Sequence, residues 1–125
     1  MIKKTRIPVA PGEVLFEEFM KPYGISQNAL GRAINVPPIR INEIVLGKRA
    51  ISPDTALRLG RYFCTSAEFW VGLQTGYDLG TAKEKLGEGL GMIKPLPEAL
   101  ELLKKGIPGE RTQAIRVRRI AVAHK

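Results

Sequence analysis

The sequence predicts an all-α fold, five short helices in one domain followed by a basic C-terminal extension. Three observations carry this expectation. Apolar residues recur at three- and four-residue intervals, as at Ala29, Leu30, Ala33 and Ile34, the spacing that gathers side chains on one face of a helix. Ser26 and Ser52 stand where such runs begin, and a serine there accepts a bond from an otherwise orphaned backbone N–H. The breaks between runs are a few residues long, so consecutive helices must pack side by side.

The elements follow in order. Met1 to Pro11 is expected to be an extended arm, since Pro8 and Pro11 oppose a helix there. Gly12 to Lys21 is the first helix, with Val14, Leu15 and Phe19 inward and Glu13, Glu17 and Glu18 outward. Acidic residues early in a helix suit the positive end of its dipole. Pro22-Tyr23-Gly24 closes it. The second helix starts after Ser26, and Asn35-Val36-Pro37-Pro38 interrupts it. Asparagine tolerates the left-handed backbone that a helix C-terminus needs. Proline suits a first helical position, because its φ is already helical and its missing donor would be orphaned anyway.

The third helix buries Ile41, Ile44 and Val45 and turns Ile39, Arg40, Asn42 and Glu43 elsewhere, until Gly47 stops it. Two short helices joined by so tight a turn are the unit that places a recognition helix in a DNA major groove. Ser52-Pro53-Asp54 opens the fourth helix, with Ala56, Leu59, Gly60 and Phe63 as its buried stripe. The fifth runs from Ala67 to about Lys85, with Phe69, Trp70, Leu73 and Tyr77 on its apolar face. Trp70 at that spacing belongs to the core or to a dimer seam rather than to a base-stacking platform.

Residues 1–85 thus form a helix-turn-helix domain with an N-terminal arm, and 86–125 a basic extension. There Gly87, Gly89 and Gly91 loosen the chain, and Pro97 to Lys105 reads as a short amphipathic helix with Leu100 and Leu103 on one side. The last segment, AIRVRRIAVAHK, is open to three readings: strand, disordered basic tail, or helix with mixed faces. Its Ile115, Val117, Ile120 and Val122 are more apolar than a disordered arm. Partial order is therefore expected, with Arg116, Arg118 and Arg119 adding attraction to phosphate.

Charge points the same way as the helix pair. The chain of 125 residues carries a net +8, and half of that lies beyond Lys85, which favours a polyanionic partner. The single cysteine, Cys64, cannot form an intramolecular disulfide, fits a reducing cytoplasm, and is expected to be a small core residue. No apolar run reaches the ~20 residues of a membrane span, and no apolar signal core follows Met1-Ile2-Lys3-Lys4. There is no phosphate-binding glycine loop, no G-x-S-x-G and no H-E-x-x-H. His124 has no Cys or His partner at metal-ligand spacing. Neither an enzyme, a metal site nor a cofactor is therefore expected.

The blocks PGEVLFEEF, SQNALGRAINVPPIRINEIVLGKR, ISPDTALRLGRYF and TSAEFWVGLQTGYDL resemble those of the HigA-type antitoxins, within the Xre/Cro-like (lambda repressor-like) helix-turn-helix group. The resemblance covers about Pro11 to Lys85. It implies a dimer that binds double-stranded operator DNA, represses its own operon, and neutralises a HigB-type ribonuclease toxin. The alternative is a solitary Xre-type regulator with the same DNA surface and no toxin. Four residues depart from the family pattern: Gly31 stands where Ala is usual, Asn35 replaces the turn Gly, Ile39 often an Arg, and Leu46 an Asn.

The candidate interface follows from these positions. Pro38, Ile39, Arg40, Asn42 and Glu43 occupy the start and middle of the recognition helix. Arginine binds the O6/N7 edge of guanine, asparagine binds adenine, glutamate accepts from cytosine N4, and an aliphatic side chain meets the thymine methyl. Neighbouring positions diverge by about 100°, so Ile39, Arg40 and Glu43 are favoured for bases, while Asn42 could instead tie the helix to its own backbone. Gln27, Lys48 and Arg49 are the expected phosphate contacts; the alternative for each is a solvated side chain. A basic toxin would be met by acidic and apolar surface elsewhere, for which Glu13, Glu17 and Glu18 are one candidate.

Overall fold

The computed structural model describes residues 9–106, and there the regular structure is entirely helical. The first helix, α1, is continuous but not uniform. It runs as an α-helix over Pro11–Val14, as a π-helix over Leu15–Met20, and as an α-helix again over Lys21–Tyr23. Pro11 occupies its first turn. Of Pro22-Tyr23-Gly24, expected to close the helix, Gly24 does so, while Pro22 and Tyr23 still lie inside it. A proline there lacks a donor, and its ring collides with the carbonyl four residues back, that of Glu18. The π-turn removes the conflict by moving the ladder one residue on, so that Lys21 N–H donates to the Phe16 carbonyl. The helix ends at Gly24, in left-handed backbone with φ 65°.

Helix α2 spans Gln27–Ile34, and the Ala29 N–H donates to Ser26 Oγ at 3.0 Å. Asn35 ends it in the left-handed region (φ 61°, ψ 48°), as expected of a residue whose side chain tolerates that backbone. Helix α3, Pro38–Val45, begins with Pro38 in its first turn, and Ile41 and Ile44 are fully buried. Helix α4, Pro53–Phe63, is capped by Ser52, and α5, Ala67–Leu86, by Ser66, each serine oxygen accepting from the N–H three residues on.

These helices enclose one core, in which Leu15, Met20, Leu30, Ile41, Leu59 and Trp70 have essentially no exposure. Trp70 lies in that core rather than at a seam. Its indole N–H donates to Thr65 Oγ1 at 2.8 Å, and its ring packs 4.9 Å from that of Phe19 and 5.0 Å from that of Phe69. Burying a tryptophan in this way is worth roughly 3–5 kcal/mol relative to alanine. The stripe expected on α4 is present, with Phe63 only half-buried.

Cys64 is a correction. It is exposed, not a core residue, and forms the left-handed C-terminus of α4 with φ 59°. The apolar run ends at Phe63, and the next position is needed to turn the chain toward Thr65 and Ser66.

Gly31 also acquires a reason. A Cβ on it would lie 2.8 Å from the Val36 carbonyl oxygen and 3.2 Å from Pro38 Cα. Alanine would favour the helix by about 1 kcal/mol, but the turn rests directly on this glycine.

Contacts divide the chain into two units, 1–87 and 88–125. From Gly87, the last residue of the first, the glycines expected to loosen the chain form the 3-10 helix Gly87–Met92. Helix α6 follows at Pro97–Lys104, with Leu100 half-buried and Leu103 exposed. The arm over 1–8 and the segment 107–125, with Arg116, Arg118, Arg119 and His124, lie outside the described residues.

Candidate nucleic-acid interface

Burial fixes the orientation of the recognition helix. Ile41 and Ile44 lock one face of α3 into the core, so the opposite face must look outward. That leaves Pro38 and Ile39 exposed at its N-terminal turn, Ile39 to 61%. Arg40, Asn42 and Glu43 flank them and are half-buried. The expected base-reading residues therefore divide into two that protrude and three that lean on the domain.

Two of the expected contacts are joined to each other. Arg49 Nε donates to Glu43 Oε1 at 2.7 Å, which occupies part of the carboxylate expected to face a base. The Glu43 carbonyl also accepts from the backbone N–H groups of Lys48 (2.8 Å) and Arg49 (3.2 Å). Gly47, with φ 78°, makes this reversal possible. The loop after α3 is thereby folded back onto its last turn, and Lys48 and Arg49 stay exposed beside it. Leu46, at the position where the resembling family carries a polar residue, is 57% exposed.

At the start of α2, Gln27 is half-buried and Asn28 exposed. Ser26 takes the Ala29 N–H. The first N–H groups of the helix have no partner within it, which with the helix dipole is the chemistry of an anion site. α3 thus offers protruding side chains, the following loop two exposed cations, and the start of α2 the chemistry of an anion site.

Sequence reasoning missed Arg58. From α4 its Nη1 donates to the carbonyls of Ile34 (2.9 Å) and Asn35 (3.3 Å), while its Nε pairs with Asp54 at 2.6 Å. Those carbonyls end α2, where the helix offers unpaired acceptors and partial negative charge. Arg58 thus holds the turn that aims α3. The spacing of Asp54 and Arg58 announces their own pairing, but nothing local announces the reach across to α2.

Of the expected acidic face, Glu13, Glu17 and Glu18 are exposed, and Glu17 pairs with Lys21 at 3.4 Å. Among the described residues, no group of His, Cys, Asp and Glu side chains is arranged to hold a metal ion, and no helix is long and apolar enough to cross a membrane.

With this geometry in place, the chain can be compared with known proteins. The helix-turn-helix family HTH_3 matches residues 16–70. Virulence-associated protein I of Dichelobacter nodosus is 48% identical over 94 residues, which is 74% of this chain and 86% of that protein. Antitoxin HigA-1 of Vibrio cholerae is 33% identical over 101 residues, covering 81% of this chain and 95% of its own. A solved structure of the Pseudomonas aeruginosa antitoxin HigA with the higBA promoter superposes with a TM-score of 0.68 at 48% identity, over 71% of this chain and 98% of that one.

Proposed function

The chain belongs to the HigA-type antitoxins of the Xre/Cro-like helix-turn-helix family, and from this we propose how its surface reads DNA. The family is one of DNA-binding regulators and antitoxins, not of enzymes. The protein is an operator-binding repressor of its own operon and the antidote of a HigB-type ribonuclease, acting in the cytoplasm. The observation that carries the DNA-binding part of this is the recognition helix itself. Its core face is fully buried through Ile41 and Ile44, while Pro38 and Ile39 stand free.

In this reading the base edges are met from among Pro38, Ile39, Arg40, Asn42 and Glu43, with Ile39, Arg40 and Glu43 favoured. Ile39 supplies apolar contact to a thymine methyl, and Arg40 binds the guanine edge. Gln27, Lys48 and Arg49 meet phosphates and fix the position of the helix. One such unit reads only a few base pairs, so two copies act on a two-fold operator, with half-site centres about 34–36 Å apart or a multiple of that.

Mobility shift on the promoter upstream of its own gene, against unrelated duplex of equal length, tests the reading. Arg40→Ala relaxes preference at one base position, at a cost of roughly 1–3 kcal/mol. Lys48→Ala weakens all sequences alike and makes the salt dependence shallower. Equal affinity of the unaltered protein for both duplexes would overturn specific repression. Co-expression with the adjacent gene tests the antidote role. A stable complex and relief of growth arrest are expected, and a harmless neighbour that forms no complex would leave a solitary regulator.

A further inference from the structure

The loop between α3 and α4 is held at two ends. At its beginning, the carbonyl of Glu43 takes the N–H groups of Lys48 and Arg49. At its close, the N–H of the buried Ile51 donates at 2.8 Å to Oε1 of Gln74, a residue of α5 lying 23 positions away. The amide of Gln74 is itself oriented, because its Nε2 donates to Asp78 Oδ1 at 3.0 Å. An ionised carboxylate only accepts and a backbone N–H only donates. The two partners therefore fix which end of the amide faces which. Gln74, Asp78, Lys48 and Arg49 line one cleft together with the first residues of α1.

We propose that Gln74 is a positioning residue for DNA binding: by anchoring Ile51 to α5 it holds Lys48 and Arg49 in the places from which they meet phosphates. The proposal rests on the reading of that loop as a phosphate contact. Without the anchor, the loop that carries Lys48 and Arg49 keeps its bonds at the α3 end and the buried Ile51 side chain, but loses the backbone bond that fixes its path into α4. Two exposed cations on a loosely held loop recover little of their attraction, because ordering them must then occur on binding.

Counterion release provides the readout. Each phosphate contact contributes about 0.9 to the slope of log affinity against log salt, so losing two flattens the slope by about 2. A residue that merely stabilised the fold would shift the melting temperature and leave the slope of the folded protein unchanged.

The experiment measures operator affinity from low to moderate salt for Gln74→Leu, for Lys48→Ala/Arg49→Ala, and for all three changes together. In each case it is done below the melting temperature of that variant. The expected result is that Gln74→Leu flattens the slope toward that of the double alanine variant and adds nothing when combined with it. Gln74→Glu/Asp78→Asn exchanges the partners. The new carboxylate still accepts from Ile51, and the new amide donates back to it, so the slope returns. If Gln74→Leu does not fold, Gln74→Asn, whose amide is one methylene too short to reach Ile51, takes its place. A wild-type slope in the Gln74 variants beside a flattened one in Lys48→Ala/Arg49→Ala overturns the positioning role and leaves the phosphate reading intact. A wild-type slope in Lys48→Ala/Arg49→Ala removes the phosphate reading, and the positioning role with it.

Discussion

Replacing Gly12 by alanine tests the packing that joins the first helix to the recognition helix. A Cβ built on Gly12 would lie 1.8 Å from the carbonyl oxygen of Ile44, 2.7 Å from its carbonyl carbon and 2.9 Å from Val45 Cα. All three are backbone atoms, so no rotamer change relieves the clash. Ordinary contact begins near 3.4 Å, and α1 or the end of α3 must give by about 1.6 Å. Overpacking of a core costs typically 1–3 kcal/mol, and a backbone obstacle belongs at the upper end. Alanine returns at most about 1 kcal/mol through helix propensity. The net loss is about 2 kcal/mol, which in a domain of this size lowers Tm by roughly 8–16 °C. The assay is thermal unfolding followed by circular dichroism, with operator affinity measured well below the transition. Affinity falls as well, because the displaced element carries the recognition surface. Gly72→Ala and Gly76→Ala are the controls, since a Cβ at either meets nothing within 4 Å. Each should stabilise by roughly 0.5–1 kcal/mol. A Gly12→Ala protein melting within 2 °C (about 0.3–0.5 kcal/mol) of the unaltered one would refute the reasoning.

Three further outcomes follow. Trp70→Phe keeps an aromatic ring but deletes the indole N–H and leaves Thr65 Oγ1 without its donor; chemical denaturation should show a loss of about 1–3 kcal/mol. Arg58→Met keeps the aliphatic stem and frees the Ile34 and Asn35 carbonyls. It should lower affinity for every duplex while leaving the salt slope unchanged, because Arg58 serves the turn and not a phosphate; a flattened slope would put Arg58 on the DNA. Cys64→Gly should raise stability by about 1 kcal/mol, since a side chain in left-handed backbone costs 1–2 kcal/mol, and a lower Tm would show that the thiol packs.

What was legible in the sequence is what depends on neighbours in the chain. Ser26 and Ser52 mark helix starts because a cap bonds three residues ahead. Asn35 and Pro38 mark the turn because each residue type admits a narrow range of backbone. The buried face of α3 was legible through Ile41 and Ile44, since helical spacing alone puts them together. The misreadings have two causes, partners distant in sequence and a backbone demand that outranks polarity. Cys64 looked like core because its neighbours are apolar, yet its place is set by the chain reversal after α4. Pro22 looked like a terminator because its conflict with Glu18 is local, while the π-turn that accommodates it is held by packing. In the candidate site, the protruding Pro38 and Ile39 could be named from the pattern. The link of Glu43 to Arg49 needed the loop to be folded, and the reach of Arg58 to α2 and of Gln74 to Ile51 had no local trace.

The π-turn in α1 acts as a change of phase. In a uniform helix each residue advances the facing direction by about 100°, so residues keep to one stripe. An extra residue in the middle rotates everything after it by one such step. In α1 the part before the shift brings Gly12 against Ile44. Leu15 and Met20, five residues apart, would diverge by about 140° in a uniform helix, yet both are fully buried. One continuous rod thereby keeps in the core two residues that a single stripe would separate. Deleting one residue at Glu17 would turn this segment into ordinary α-helix with both ends facing as they do now, and would bring back the collision of the Pro22 ring with the Glu18 carbonyl. Between Leu15 and Met20 the chain carries one residue more than an α-helix needs, and that surplus is what makes room for a proline one turn from the end of the rod.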